Sequence, residues 1–390
     1  MKFSSCALLA KVAALLIAAL PLAAQSPDML RQIAHTPLVH VDVAPDVAAP
    51  GFAPASLMQA YSFLAVDVKK KGKGQTIALI DAYDDPNAEA DLATFNTQFA
   101  LPACTTANGC FKLIYANGTQ PPADTIGWSN ETAIDIQWAH AIAPAANIIL
   151  VEAQSASLGD LITGVDVAVQ NGATVVSMSW VSSEGPEEGV TDTHFNVPGV
   201  TFVAATGDTG HGVSYPAASP YVVAVGGTTL TINADGSWAS ETAWSGSGGG
   251  SSKYEIEPSY QTAVQSTGQR TIPDVSYDGD PNTGVPSYSS YVCGACKTGW
   301  LQWGGTSIGT PQWAALFAIA NSIRVYNGKA TLTQPQLILY PIGETYYHDI
   351  TSGTNGSCGR ACTAATGYDL VTGLGSPIGH TLIHQLISGN

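Results

Sequence analysis

Apolar residues along this chain fall into short continuous runs, and stretches of helical spacing separate them. Residues 75–80 (QTIALI), 147–151 (NIILV), 173–178, 200–205 and 221–225 each read as a buried strand. Residues 87–99 and 158–170 carry apolar positions at helical spacing, the second followed by Gly172, and 307–321 is helical and apolar. Buried strands alternating with helices predict an α/β fold with a mostly parallel sheet covered on both faces. No repeat and no separable second domain appears. Residues 246–252, which include four glycines, are expected to form a flexible loop. They do not suit a phosphate cradle, because no lysine or helix start completes them.

The N-terminus breaks this pattern. Residues 1–11 hold Lys2, Lys11 and no acid, 12–22 is an apolar run, and Ala23, Ala24 and Gln25 follow. That order predicts a secretory signal peptide over 1–24, too short for a membrane anchor. Residues 25–52 are rich in Pro and Ala without periodicity and read as a spacer, which leaves 53–390 as the folded domain.

The chain has 390 residues, of which 45% are hydrophobic and only 11% charged. With 30 acidic against 14 basic residues, it repels nucleic acid and, once the signal is removed, anionic membranes. Protonation relieves that self-repulsion, so acid conditions should be well tolerated. Six cysteines outside the signal fall in close pairs: Cys104/Cys110, Cys293/Cys296 and Cys358/Cys362. An even count after export favours disulfides, and three local bridges are the simplest pairing. A redox pair at Cys293/Cys296, or a zinc site joining it to Cys358/Cys362, are the competing readings.

Ser307 follows Gly304-Gly305-Thr306 and leads an apolar helix. A helix N-terminus offers oriented N–H groups and a positive partial charge, which suit a nucleophilic serine and its oxyanion. The same place also suits an ordinary capping serine. His140, beside apolar residues at a helix end, reads as a structural histidine rather than a base. Glu131 and Asp135 are the better partners: four residues apart, they share one helix face among Ala, Ile and Trp. Two close carboxylates in apolar surroundings cannot both ionise easily, so one keeps a proton. Asp208 follows a buried strand between two glycines, where α/β sites are built; protonated, it could donate to an oxyanion. Asp349 and Asp369, with nearby main-chain carbonyls in a glycine-rich loop, suit a hard cation.

Together these segments resemble the sedolisin family, the serine-carboxyl peptidases of subtilisin-like fold. The likeness runs from about Pro54 to Leu386. It includes TIALIDAYDDP at 76–86, residues 131–144, SMSW at 177–180, GDTGHGVSYPAASP at 207–220, RTIPDVSYDGDPNTG at 270–284, Gly305 to Pro311, and GYDLVTGLGSP at 367–377. The resemblance implies a three-layer subtilisin-like fold and a monomeric, secreted, acid-acting endopeptidase. It implies Ser307 as nucleophile, Glu131 as base, Asp135 as the acid sharing its proton, and Asp208 in the oxyanion hole. Asp81 and Trp180 would extend the proton network. One Ca2+ would be held by the side chains of Asp349 and Asp369 and the main-chain oxygens of Ile350, Ala365 and Gly367. The chain departs from its relatives in four ways. A short stretch stands where they carry a long folded propeptide. Val181 and Ala365 replace common glycines, and Tyr368 a common tryptophan. A binding protein of the same fold without catalysis, or a Ser-His-Asp hydrolase, are the other functional readings.

Overall fold

The computed structural model describes residues 27–41, 49–63 and 71–389, so the signal-peptide reading lies outside the described residues. The strands used below are β1 (Val39–Val41), β2 (Thr76–Ala82), β3 (Phe111–Tyr115), β4 (Asn147–Ala153), β5 (Val175–Met178), β6 (Thr201–Ala205), β7 (Val222–Ile232), β8 (Trp238–Ala243), β9 (Val275–Asp278), β10 (Val285–Ser289) and β11 (Gly299–Gly304). The helices are α1 (Ala88–Gln98), α2 (Trp128–Ile142), α3 (Leu158–Gln170), α4 (Thr306–Tyr326) and α5 (Gly379–Ser388).

The main sheet runs β8-β7-β6-β5-β2-β4-β3, and β9 joins the first half of β7. Every pairing in it is parallel except β8 with β7. Alternation along β2 shows why these runs become buried strands. Ile77 and Leu79 enter a core shared with α1, α2, α4 and α5, while Ala78 and Ile80 enter a second core shared with α3. Both faces are apolar, so the strands lack polar alternation and the sheet is the middle of three layers. The same parity turns Asp81 toward the α2 face.

Two expectations change. Residues 27–41 and 49–52 do not form a detached spacer. Met29 and Ala34 are buried in the core, and β1 pairs antiparallel with β11, which pairs with β10. Residues 247–250 are not a flexible loop but buried, and Gly250–Ile256 is a strand. A Cβ at Gly248 would overlap the Thr206 carbonyl, and one at Gly249 the Leu370 carbonyl. Glycine is required there by close backbone approach rather than for motion. No helix among the described residues is long and apolar enough to cross a membrane.

Candidate active site

Ser307 is the second residue of α4, and the chain enters the helix through Gly305 at φ 120°. The side chain is fully buried. Pro311 supplies no N–H to the Ser307 carbonyl, so the first turn is held by side chains instead, among them Thr310 Oγ1 on the Thr306 carbonyl at 2.9 Å. α2 lies beside α4, and every residue of α2 is buried. Asp124, which the sequence reading passed over, fastens the start of α2. Its carboxylate accepts the Ser129 N–H at 2.8 Å and the N–H groups of Ile126 and Gly127.

The predicted carboxylates meet at this junction. Glu131 and Asp135 share the helix face, both without solvent exposure. Burial raises the Glu131 pKa well above its ordinary value, and the charges of Asp135 and Asp81 push it further. The Ser307 hydroxyl is oriented to relieve part of that shift by hydrogen bonding. The contact is looser than a formed hydrogen bond, since Ser307 Oγ and both Glu131 oxygens otherwise have no partner at normal geometry. Asp135 is pushed up to about 8 by burial, against a lowering hydrogen bond from Ser179. Asp81 is raised well above its ordinary value by burial and then by Asp135. Trp180 is buried, with its indole N–H unpaired. Three linked acids in a dry site keep protons at pH values where isolated carboxyls have lost them.

The network is larger than the sequence reading allowed. Asp81 and Glu152 are register partners on the parallel strands β2 and β4. Glu152 accepts the Asp85 N–H at 2.9 Å, and burial pushes Glu152 up to about 8 and Asp85 to about 7. An acid ending each of two adjacent apolar runs was the signal that could have found Glu152. Ser179 and Thr306 were missed as functional residues.

Asp208 sits where expected, three residues beyond β6. Its Oδ1 accepts the Thr306 N–H at 2.8 Å and the Thr306 hydroxyl at 3.0 Å. Its Oδ2 is buried without a partner. Burial pushes the group up to about 8, so at acid pH it carries a proton it can donate. That free oxygen flanks the entry to α4: a Cβ on Gly305 would collide with it. Nucleophile, base and a protonated donor thus converge on one point. No histidine is bonded to Ser307 Oγ. His140 is the structural residue expected: buried, with Nε2 2.9 Å from the Pro102 carbonyl and its pKa lowered by burial.

The cysteines close as Cys104–Cys110, Cys293–Cys296 and Cys358–Cys362. Among the described residues, every group of three His, Cys, Asp or Glu close enough to share a metal contains one of these bridges, so its sulfurs are already bonded. The zinc reading, which joins Cys293/Cys296 to Cys358/Cys362, therefore falls; the Cys293–Cys296 bridge is equally the oxidised form of a redox pair.

At the C-terminal loop, both Asp349 oxygens face the Gly367 N–H at 3.1–3.2 Å. Asp369 accepts the N–H groups of Ala365, Val371 and Thr372 and the Thr372 hydroxyl. Asp349 keeps lone pairs to spare, whereas Asp369 would have to release the Thr372 hydroxyl. Two hard carboxylates gathered on one loop fit a calcium ion.

Residues 118–339 match the model of the subtilase family. The chain is 32% identical to kumamolisin of Bacillus sp. (strain MN-32), over 87% of this chain and 64% of that one. It is 34% identical to sedolisin of Pseudomonas sp. (strain 101), over 52% of this chain and 38% of that one. The chain thus spans less than two thirds of either relative. The solved structure of Pseudomonas sedolisin complexed with two molecules of pseudo-iodotyrostatin superposes with a TM-score of 0.73 at 26% identity, covering 88% of this chain and all of that one. Fold, site geometry and these likenesses agree: the chain belongs to the subtilase family, on its sedolisin branch.

Proposed function

We propose that this protein is a secreted endopeptidase of serine-carboxyl type that works at acid pH. The observation that carries the reading is the burial of Ser307 Oγ against Glu131, with Asp135 and Asp81 behind it and no histidine bonded to it. Ser307 Oγ attacks the scissile carbonyl carbon while Glu131 takes its proton. The protonated Asp208 and the N–H groups at the start of α4 stabilise the oxyanion. Glu131 then passes the proton to the leaving amine. A water molecule, deprotonated by Glu131, hydrolyses the Ser307 ester. Asp135 and Asp81 hold a proton nearby, so Glu131 can alternate between acid and base without leaving two adjacent charges buried.

The signal-like N-terminus and acidic surface support export and acid tolerance. A calcium ion, if bound, would be held by Asp349, Asp369 and the carbonyls of Ile350, Ala365 and Gly367. It would neutralise two acids and stiffen the loop. Digestion of a mixed peptide library across pH, with Ser307→Ala as control, tests the function. Internal cuts that peak below about pH 5 and vanish in the variant are expected. Release of only short N-terminal pieces would make it an exopeptidase, and no turnover would make it a binding protein.

A further inference from the structure

Asp208 stands in a loop with little stiffness of its own. Residues 207–212 read Gly-Asp-Thr-Gly-His-Gly, and Gly207 and Gly210 hold φ of 102° and 79°. Three glycines in six residues give the backbone many conformations to choose from. Asp208 Oδ2 must nevertheless meet the oxyanion at hydrogen-bonding distance. The neighbouring segment is no stiffer. Gly210 N–H donates to the Gly246 carbonyl at 2.8 Å, Gly248 N–H donates to the Gly207 carbonyl at 2.8 Å, and Gly212 and Gly249 exchange bonds at 2.8 and 2.9 Å. One glycine-rich segment is thus laid on another.

Asn355, on the C-terminal loop, joins the two. Its carbonyl accepts the His211 N–H at 2.8 Å, and its Nδ2 donates to the Ser247 carbonyl at 2.8 Å. The residue is 3% exposed, and its Oδ1 has no partner, so Nδ2 alone orients the amide. A Cβ on Gly210 would lie 2.6 Å from the Asn355 carbonyl oxygen, so the chains meet where only glycine fits. Asn355 is itself held in place. Its N–H donates to the Cys362 carbonyl at 3.1 Å, Thr354 bridges to Thr363, and the Cys358–Cys362 disulfide closes the turn between them. A buried amide on a cross-linked turn therefore ties down both glycine-rich segments at once.

We propose that Asn355 is a positioning residue for the reaction, setting where Asp208 presents its free oxygen to the oxyanion. This rests on the peptidase reading above. Asp208 is held from two sides. Thr306 fixes the carboxylate from the helix end, through Oδ1. Asn355 fixes the backbone behind it, three residues on at His211 and across the second loop at Ser247. The main-chain bond to His211 survives any ordinary substitution, whereas the Nδ2 bond does not, so the side chain is the half that can be tested. Loss of Nδ2 leaves the buried Ser247 carbonyl without this donor and lets the two segments slide together. Asp208 Oδ2 then drifts from the point where charge develops.

The test is a double-mutant cycle on the full chain, with kcat and KM for a fluorogenic peptide measured on the wild type, Asn355→Ala, Asp208→Ala and the double variant. A misplacement of about 1 Å can cost about a hundredfold in rate. Asn355→Ala should therefore lower kcat about ten- to a hundredfold and change KM less than about threefold. In the Asp208→Ala background the same change should lower kcat by less than about threefold, because the donor it positions is already gone. Asn355→Leu keeps the volume without the donor and takes the place of Asn355→Ala in the cycle if that variant does not fold. Asn355→Asp restores a donor while its carboxyl is protonated, and at pH 4 it should recover most of the kcat that Asn355→Leu loses. Unchanged kcat in Asn355→Ala or Asn355→Leu, equal losses with and without Asp208, or equal kcat for Asn355→Leu and Asn355→Asp would each overturn the proposal and leave the peptidase reading standing. Full turnover in Asp208→Ala would overturn it together with the oxyanion step, and a wild-type chain without turnover would overturn the peptidase reading itself.

Discussion

Ser179 Oγ donates a 2.6 Å hydrogen bond to Asp135 Oδ1, while Asp135 Oδ2 has no partner. This is the one neighbour that favours the charged form of Asp135 against burial. A hydrogen bond of this kind is worth about 1 kcal/mol, close to one pH unit of titration. Ser179→Ala should therefore move the alkaline limb of the kcat profile upward by up to about one unit. It should also lower the maximal rate, because Asp135 loses its orientation. A pH–rate series on both proteins checks this; an unmoved limb would detach Ser179 from the proton network.

Asp208 holds Thr306 with one oxygen and presents the other to the oxyanion position. Asp208→Ala should reduce kcat about a hundred- to a thousand-fold with little change in KM. Asp208→Asn keeps an N–H donor of similar shape and should recover part of that loss. Equal losses in both variants would assign Asp208 to building the loop rather than to stabilising charge.

How far the sequence could be read follows from which contacts are local. The strands were legible because both faces of β2 are apolar, and α2 because Glu131 and Asp135 repeat at helical spacing within it. Asp124 and Ser179 were not legible as partners, because each acts across a turn or between elements that only the fold brings together. Residues 27–41 were read as a spacer for the same reason. Their partners lie more than a hundred residues away, and single backbone pairings leave no side-chain period in the sequence. The glycines at 246–250 were misread because composition does not separate a glycine needed for motion from one needed for space.

Gly249 tests that distinction. It exchanges main-chain hydrogen bonds with Gly212 at 2.8 and 2.9 Å, and a Cβ there would overlap the Leu370 carbonyl. Because the obstacle is backbone on both sides, relief is costly, and Gly249→Ala should destabilise by about 1–3 kcal/mol or more. Gly189→Ala is the control, since nothing lies within 4 Å of its added carbon and it sits in a short helix. That change should be neutral or slightly stabilising. Thermal melts of both compare the two; equal melting temperatures would contradict the packing account.

Calcium should raise the melting temperature of the full chain, and a chelator should lower it. Saturation at a hundred times Kd is worth about 2.7 kcal/mol. Asp349→Asn should abolish the response while leaving the calcium-free melting temperature nearly unchanged, since among the described residues the Gly367 N–H is the one donor to its carboxylate. A chelator-insensitive melt would remove calcium from the loop.

Stability itself should fall as pH rises, the reverse of a protein held by carboxylate salt bridges. Burial pushes Asp135, Asp208 and Glu152 up to about 8 and Asp85 to about 7, against ordinary values of 3.8 for Asp and 4.5 for Glu. Between about pH 4 and 8 the folded chain therefore binds protons that the unfolded chain has released. Their contribution is fully present below the unfolded pKa values and is lost as pH climbs through the folded ones. One net proton corresponds to about 1.4 kcal/mol per pH unit, so even partial expression of the four groups costs several kcal/mol across the window. Urea midpoints measured on Ser307→Ala, which avoids autolysis, should decline steadily from pH 4 to 8, and Asp135→Asn should flatten the slope by up to one proton. A flat or rising profile would mean that these acids ionise inside the fold at little cost, and with it the proton-sharing basis of the site would fail.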